Sequence, residues 1–413
     1  MTCNPDRQVT HDFYGEYPYD KSTQVEESCQ KPTFFITFCA LSNVKGKGKK
    51  MKKKVLSLLM VVTIVAGMLG GCGNKTEEPA ESKAPTTTTT TTTTPAEEKK
   101  TEEPVSAEPV TLNIAYMPNY GSLWAIENAI EQGFLQDENI TVKLTEFQDG
   151  PTIIAAMESG SMDIGYIGQG AHKLCVQGKA TVFALSHISN GDALIGGKGI
   201  TKIEDLKGKK VAYSSGSSSE DILLNSLKKA GMTMKDIEAV DMDASAIVTA
   251  MLSGGVDACA TWSPNSLQIL EQNPDTTKLT DNLTFSDETV SLASWIAMPD
   301  FTTEKGDVLV RFTRALFKAM DYAAEDHQEE TAALVAKQVA QDKDTVYAQR
   351  GDADWLTGKE VAAGAADGTV EGYYELQKKN FISSGAVTLE EGQKEPAVSD
   401  YVMLDLMVEA GKY

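Results

Sequence analysis

Two short stretches of the chain have nearly the same sequence, AMESGSMD at Ala156–Asp163 and AMLSGGVD at Ala250–Asp257. In each, an apolar helical segment ends at Ser-Gly, and a short apolar run typical of a buried strand begins at the Asp. The two stretches start 94 positions apart, at residues 156 and 250. This repeat predicts two copies of one helix–strand unit.

A second pair of segments extends the repeat toward the amino terminus. Strand-like runs at Thr111–Tyr116 and Val211–Tyr213 are each followed by a polar loop and an amphipathic helix, Leu123–Glu131 and Glu220–Ala230. Strands that alternate with helices imply parallel sheets with right-handed crossovers. The predicted fold class is therefore α/β, with two similar lobes.

Four loops of this plan lie at the carboxyl ends of strands, where open α/β sheets bind their ligands. They are rich in Gly, Ser, Asn, Gln and aromatic residues, and they contain no Arg, Lys, Asp or Glu. This composition favours an uncharged binding cleft between two lobes. The loops are Met117–Ser122, Gly168–Ala171, Ser214–Ser219 and Trp262–Asn265.

The composition excludes several classes of function. The 413 residues carry a formal net charge of −21, so no basic stripe is available to neutralise phosphates, and nucleic acid is not an expected partner. The six Cys form no CxxC pair and the four His have no HExxH spacing, so no metal site is expected; Cys175 and Cys259 are interpreted as buried thiols. G-x-S-x-G and Walker A patterns are absent, and neither catalytic residues nor a cofactor are predicted.

Residues 51–71 have the features of a lipoprotein signal peptide. Lys52–Lys54 form a basic patch, and Val55–Leu69 is an apolar run that is shorter than the roughly 20 residues needed to span a bilayer. The run ends in LGGC at Leu69–Cys72, which matches the cleavage site of bacterial lipoproteins. We therefore expect cleavage before Cys72, lipidation of this residue and anchoring to the cell membrane.

The segments on either side of the signal peptide are not expected to fold. Residues 1–50 are interpreted as an upstream leader, with translation starting at Met51, or as a poorly ordered extension. Residues 72–109 are low in complexity, with an unbroken Thr run from Thr86 to Thr94 and no apolar periodicity. Such a composition cannot offset the entropy of ordering, and it predicts a disordered linker that spans roughly 30–40 Å on average.

Three motifs in the folded part resemble those of a known family. They are GPT and AMESG within Gly150–Gly160, DIGYIG at Asp163–Gly168, and EDLKGKKVA at Glu204–Ala212, which a Ser/Gly loop follows. In this order, and behind a lipoprotein cleavage site, they resemble the solute-binding lipoproteins of bacterial ABC importers in the nitrate/sulfonate/taurine group, an SsuA-like, NMT1-like family. The resemblance covers about Val110–Tyr413.

The resemblance implies a type II periplasmic-binding-protein fold, in which two crossover segments join two α/β lobes with the ligand cleft between them. We place the crossovers near Asp192–Gly197 and Ser291–Pro299. Residues 110–197 with 298–413 then form lobe I, and residues 198–297 form lobe II. The resemblance also implies an extracytoplasmic monomer whose partners are a small solute and a permease with its ATPase.

The Ser/Gly loop of lobe II is the predicted seat of an anion. It precedes a helix, where free backbone N–H groups and the positive end of the helix dipole meet. The alternative is plain N-capping, for which one Ser suffices. The predicted contacts are Ser215, Gly216, Ser217 and Ser218 on this lobe and, by resemblance, Gln169, Gly170 and Ala171 on the other.

Polar and aromatic residues near strand ends and crossovers complete the predicted site. Trp295 lies in the cleft or in the core, whereas Trp124 is assigned to the core. His172 and His187 are given structural roles, and Asp192 either meets a ligand ammonium or serves the hinge. The further predicted contacts are Tyr116, Asn119, Tyr120, Asn190, Trp262 and Trp295.

These features predict the capture of a small organic anion, alkanesulfonate-like, taurine-like or nitrate, for import. A neutral thiamine-precursor-like pyrimidine is the alternative ligand, and a sensor or an enzyme on the same fold is the alternative function. Because the four cleft loops lack formal charge, neutral dipoles are expected to hold the anion. Its affinity is then expected to depend only weakly on ionic strength.

Overall fold

The computed structural model describes residues 107–390 and 392–413. The expected leader, the signal peptide, Cys72 and the linker as far as residue 106 lie outside the described residues. Within those two ranges, no helix has both the length and the apolar character that a membrane span requires. The strands are β1 Val110–Tyr116, β2 Ile140–Glu146, β3 Ile164–Ile167, β4 Thr181–Ser189, β5 Asp192–Gly196, β6 Lys210–Tyr213, β7 Glu238–Asp241, β8 Ala258–Trp262, β9 Thr277–Asp281, β10 Leu292–Ala297 and β11 Ala353–Asp354.

Helices connect these strands and follow the last long one. Short 3₁₀ helices lie at Ile203–Leu206, Met234–Asp236, Asn282–Phe285, Gln349–Asp352 and Val398–Asp400. The α-helices are α1 Tyr120–Glu131, α2 Phe134–Asp137, α3 Gly150–Glu158, α4 Gln169–Val176, α5 Ser218–Lys229, α6 Ala244–Leu252, α7 Asn265–Gln272, α8 Pro299–Glu304, α9 Gly306–Ala324, α10 Gln328–Gln338, α11 Lys343–Ala348, α12 Gly358–Asp367, α13 Thr369–Ser384 and α14 Leu404–Ala410.

The strands form two mixed sheets whose parallel parts match. In the first sheet β1 lies between β2 and β3 and is parallel to both, as β6 is to β7 and β8 in the second. Antiparallel strands complete each sheet, and the orders are β11-β4-β10-β3-β1-β2 and β7-β6-β8-β5-β9. The prediction of an α/β fold built from a repeated unit is therefore confirmed.

Each crossover comes before the strand that was predicted to contain it. Asp192–Gly197 contains β5, which pairs with β8 and β9 of the second sheet, and Ser291–Pro299 contains β10, which pairs with β3 and β4 of the first. The side chains of β5 are all buried, and burial on both faces is typical of a strand inside a sheet. The chain changes lobes at residues 190–191 and again between β9 and β10.

Each sheet has its own apolar core. The first sheet shares one cluster with α1, α9 and the C-terminal helices, and this cluster contains Trp124, as predicted. The second sheet has a cluster on each face, one that includes Leu223 and one that includes Ile247. Cys175 and Cys259 are buried free thiols, as expected from their separate positions. The two lobes therefore have separate interiors, a construction suited to motion about the crossovers.

Candidate ligand-binding cleft

A cleft between the lobes is lined by the residues that follow β1, β3, β6 and β8. Its cavity volume is about 80 Å³, which is room for several water-sized groups. Residues from β4, β5, β10 and the C-terminal part of the chain complete the lining. The lining comprises Met117, Asn119, Gly121, Gly150, Pro151, Tyr166, Gly168, Gln169, Ala171, His187, Ser189, Gly191, Asp192, Ser217, Ser218, Trp262, Ser263, Ser291, Ala293, Gln349, Asp352 and Trp355.

Capping residues determine where the helices around the cleft begin. Asn119 caps α1, since its Oδ1 accepts a hydrogen bond of 2.9 Å from the Ser122 N–H. Ser217 caps α5 in the same way through the Ser219 N–H, at 3.2 Å. Gly168, in extended conformation, precedes α4 on the opposite wall. The amino-terminal ends of α4 and α5, one from each lobe, therefore both lie at the cleft.

Several of the predicted contact residues line this cleft together. They come from both lobes and from separate strand ends, and the cavity brings them together. These residues are Asn119, Gln169, Ala171, Ser217, Ser218 and Trp262.

Other predicted aromatic residues lie outside the lining. The Tyr116 hydroxyl accepts a hydrogen bond of 3.1 Å from Gln338 Nε2 inside lobe I. Tyr120 is buried in α1, and Trp295 is 1% exposed and packs edge-on against Phe312. Trp295 also packs edge-on against Tyr166, with ring centroids 5.6 Å apart, and it lies behind the lining in the core of lobe I. The prediction that these residues contact the ligand is not supported by their positions.

Two further predicted contacts also lie outside the lining. Asn190 stabilises the crossover, since its Oδ1 accepts a hydrogen bond of 3.3 Å from the Leu283 N–H. The Ser215 N–H donates to Asp241 Oδ1, at 2.9 Å. Both groups are used within the protein, which is the physical reason that they do not face the cleft.

Gly170 and Gly216 lie where the lobes touch. A Cβ on Gly170 would stand only 2.0 Å from the carbonyl carbon of Ser217, so α4 and α5 meet backbone to backbone. Gly216 adopts φ +75°, and a Cβ there would stand 3.2 Å from Pro151 Cγ of lobe I. Glycine is therefore required at Gly170 by close approach and at Gly216 by backbone conformation as well.

An ion pair joins the same two helices. Lys173 Nζ of α4 lies 3.2 Å from Glu220 Oε2 and 3.5 Å from Asp221 Oδ1 of α5. Lys173 and Asp221 are both buried, so salt screens this pair poorly. Burial raises the pKa of Asp221 to about 7, against the opposing effect of Lys173. We call this ion pair, together with the Gly170–Ser217 approach, the helix contact.

The donors of the Ser/Gly loop are already used by acceptors of the protein. The Gly216 N–H donates to Glu220 Oε2 at 2.9 Å, and the Ser217 hydroxyl donates to the Ser214 carbonyl at 2.7 Å. The Ser218 hydroxyl donates to Asp192 Oδ1. Two of these acceptors are carboxylates, which would repel an anion. These donors are therefore engaged within the protein, and an anion seat at this loop stays a prediction.

Asp192 occupies the hinge and also lines the cleft. Besides Ser218, it accepts hydrogen bonds from Asn282 Nδ2 at 2.8 Å and from the Ser291 hydroxyl at 3.3 Å. Burial raises the pKa of Asp192, although these three donors oppose the shift. Of the two roles considered from sequence, the hinge role agrees with these contacts.

An aromatic wall that the sequence did not predict forms one side of the cleft. Trp355 and His187 have ring centroids 4.6 Å apart, and Tyr166 stacks on His187 at 6.1 Å. Burial lowers the pKa of His187 to about 3, so this imidazole is neutral. The wall therefore offers π-faces without a positive charge.

Several buried polar atoms of the lining have no hydrogen-bond partner among the described residues. They are Gln169 Oε1, Ser263 Oγ, Gln349 Nε2 and Asp352 Oδ2. Gln169 is 4% exposed and Gln349 is 3% exposed. A buried polar atom without a partner destabilises a protein by about 1–3 kcal/mol, so these atoms mark where a ligand gains hydrogen bonds.

The lining of the cleft also includes charged side chains. The lining contains two carboxylates, Asp192 and Asp352, and the described residues that line the cleft include no Lys or Arg. Burial raises the pKa of Asp352 to about 6, so it ionises near neutral pH. Within the described residues, no group of three metal-ligating side chains is present. The four loops considered from sequence carry no formal charge, and both carboxylates come from other segments, β5 and the C-terminal region.

Two α/β lobes with a cleft between their strand ends define a protein of the periplasmic-binding-protein fold. A solved alkanesulfonate-binding protein, SsuA from Xanthomonas axonopodis pv. citri, has the same fold, with a TM-score of 0.55 and 20% identity over 72% of this chain and 99% of that chain. The NMT1/THI5-like family model matches residues 125–330. The chain therefore contains an NMT1/THI5-like domain, which supports the SsuA-like resemblance seen in its sequence motifs.

Relatives of known name agree with this assignment. A Brucella abortus protein named as a binding protein is 28% identical over 295 residues, which is 71% of this chain and 92% of that protein. The taurine-binding periplasmic protein of Escherichia coli is 28% identical over 217 residues, which is 52% of this chain and 66% of that protein.

Proposed function

We propose that the chain is the extracytoplasmic solute-binding component of an ABC importer, and that it is a binding protein and not an enzyme. The family, the fold and the names of its relatives support this role. In this role the lobes close on a solute, and the closed monomer docks on a permease with its ATPase. The helix contact supplies the interface of the closed form.

The proposal includes anchoring through lipid on Cys72. The sequence at Leu69–Cys72 supports this part, together with the Thr-rich linker that follows it. Cells grown with a clickable palmitate analogue are expected to label the wild-type chain but not Cys72→Ser. Equal labelling of both would remove the anchor from the proposal.

The solute we propose is a flat, nitrogen-containing aromatic molecule with N–H donors, of the thiamine-precursor-like pyrimidine class. The observation that carries this choice is the pairing of Asp192 and Asp352 with an aromatic wall, in a lining whose described residues include no Lys or Arg. Two unit charges 4 Å apart repel by roughly 4 kcal/mol in surroundings of intermediate polarity. A bare anion is therefore disfavoured, whereas a neutral ring can stack on Trp355 and His187.

An aminoalkanesulfonate such as taurine is the second candidate. Its ammonium group could meet Asp352, while its sulfonate faces the amino-terminal ends of α4 and α5. The similarity to a taurine-binding protein also favours it. Nitrate and simple alkanesulfonates lack a group that could satisfy the carboxylates.

Isothermal titration of the full chain against 4-aminopyrimidine, taurine, ethanesulfonate and nitrate tests these choices. We expect the aminopyrimidine to bind, and a concentration of 100 times Kd to stabilise the fold by about 2.7 kcal/mol in a parallel melting experiment. Heat with taurine alone would replace the first candidate by the second. Heat with ethanesulfonate or nitrate, and none with the aminopyrimidine, would overturn the proposed solute class.

A further inference from the structure

One short segment of the C-terminal region brings three different chemical groups to the cleft. It runs from Gln349, through the 3₁₀ helix and β11, to Trp355. Gln349, Asp352 and Trp355 all line the cavity. The segment thus supplies an amide, a carboxylate and an aromatic face within seven residues.

Contacts with β4, with the first crossover and with α1 hold this segment in place. β11 pairs with β4, and the Asn190 N–H donates a hydrogen bond of 2.6 Å to the Asp352 carbonyl. Gln349 Oε1 accepts from the Tyr120 N–H at 2.9 Å, and Trp355 Nε1 donates to the Arg350 carbonyl at 2.6 Å. The side chains of Gln349 and Trp355 and the backbone of Asp352 are therefore held in place before any ligand arrives.

The atoms that remain unpaired have complementary chemistry. Because Gln349 Oε1 is bound to Tyr120, its Nε2 is left as a donor, and that atom has no partner among the described residues. Asp352 Oδ2 is a buried acceptor that likewise has no partner in the described part of the chain. A ligand that satisfies both must present an acceptor and a donor along one edge.

We propose that Gln349 and Asp352 are the specificity-determining pair of the cleft, and that they bind the amidine-like edge of an amino-substituted nitrogen heterocycle. The ring nitrogen accepts from Gln349 Nε2, the exocyclic amino group donates to Asp352 Oδ2, and Trp355 contacts the ring face. This inference rests on the proposed function, because it takes a flat nitrogen heterocycle as the solute. It adds the edge that the protein selects and the residues that select it.

The charge of Asp352 links this recognition to pH. The charged groups that act on its carboxyl are Asp192 of β5 and Lys278 of β9. Burial raises the pKa of Asp352 to about 6, with Asp192 acting in the same direction and the Ser263 hydroxyl and Lys278 against it. An amino group binds the ionised carboxylate more strongly, so affinity is expected to rise as the pH increases through 6.

Titration calorimetry of 4-aminopyrimidine and of unsubstituted pyrimidine, from pH 5 to pH 8, tests this inference. We expect the wild-type chain to prefer 4-aminopyrimidine at least 10-fold. Asp352→Asn should abolish this preference while its affinity for pyrimidine changes less than 3-fold. Any pH dependence of the affinity that remains in Asp352→Asn comes from protonation of the probe. The difference between the wild-type and Asp352→Asn affinity profiles therefore measures the contribution of the Asp352 carboxylate. Asp354→Asn is the matched control, because Asp354 is exposed and lies outside the lining, and it should behave as the wild type.

The outcomes separate the two proposals. If the wild-type chain binds neither pyrimidine, the proposed solute class fails and this inference fails with it. If the wild type binds both probes equally, or if Asp352→Asn keeps the preference and the pH profile, only the assignment of the pair is overturned. Gln349→Leu provides a second readout: it should weaken both probes, because both carry the ring nitrogen.

Discussion

Gly170→Ala is expected to hold the lobes apart. The added Cβ would lie 2.0 Å from the carbonyl carbon of Ser217 and 2.3 Å from the backbone nitrogen of Ser218. Non-bonded carbon atoms approach to about 3.5 Å, so α4 and α5 must separate by about 1.5 Å. Because both opposing atoms are backbone, no side-chain rotation relieves the clash.

The separation should weaken ligand binding without unfolding the protein. The 3.2 Å approach of Lys173 to Glu220 would lengthen beyond 4 Å, at which a hydrogen bond is lost. A hydrogen bond to a charged group contributes about 1.5–3 kcal/mol, and its loss corresponds to about 10- to 100-fold weaker binding. Neither core lies at this contact, so the melting temperature of the unliganded protein should change by less than about 2 °C.

Calorimetry gives the affinity, and small-angle X-ray scattering gives the radius of gyration with saturating 4-aminopyrimidine. The variant should remain more extended than the wild type under these conditions. Gly372→Ala is the control, since a Cβ there meets nothing within 4 Å. Wild-type affinity and a wild-type radius for Gly170→Ala would refute the account of closure through the helix contact.

Three further predictions concern neighbouring side chains. Lys173→Met should weaken binding about 10-fold, measured by calorimetry, because it leaves Asp221 without its cation at the helix contact; unchanged affinity would remove the ion pair from closure. Trp355→Ala should weaken binding about 10-fold or more and Trp355→Phe much less, because the ring packs 4.6 Å from His187; equal losses in the two variants would contradict a stacking role. In the folded state Asp352 keeps its proton up to about pH 6, whereas in the unfolded state it releases the proton near pH 4. This group therefore lowers the free energy of unfolding as the pH rises between these two values. Asp352→Asn should therefore flatten the pH dependence of the unfolding free energy by up to about 3 kcal/mol, measured by urea denaturation of the unliganded protein, and parallel curves would disprove the raised pKa.

The sequence predicted the parts of the fold that local pattern controls. The repeat at Ala156–Asp163 and Ala250–Asp257 lies where each lobe's third parallel strand begins, and the loops after the strands line the cleft. The lobe II helix begins at Ser218, two residues before the predicted Glu220, because the Ser217 side chain caps it. These features depend on neighbours in sequence, so a single chain carries enough information for them.

The remaining differences from the prediction arise from tertiary contacts. The Ser/Gly loop has the composition of an anion site, but acceptors from distant segments, such as Asp192, take up its donors. Trp295 lies behind the lining, in the core of lobe I, where it packs against Tyr166. Gln349 and Trp355 come to the cleft from the C-terminal region, more than 150 residues after β4 begins, and no local pattern indicates that return. An Asp-rich segment near a Trp was the signal present, but it also fits an ordinary surface turn.

We expect this cleft to select a flat solute with N–H donors over an anion. A competition titration of the full chain measures it most directly: 4-aminopyrimidine is titrated in the absence and in the presence of a large excess of ethanesulfonate. The account predicts binding of 4-aminopyrimidine with an affinity that ethanesulfonate does not change. Displacement of the aminopyrimidine by ethanesulfonate, or binding of ethanesulfonate alone, would contradict it.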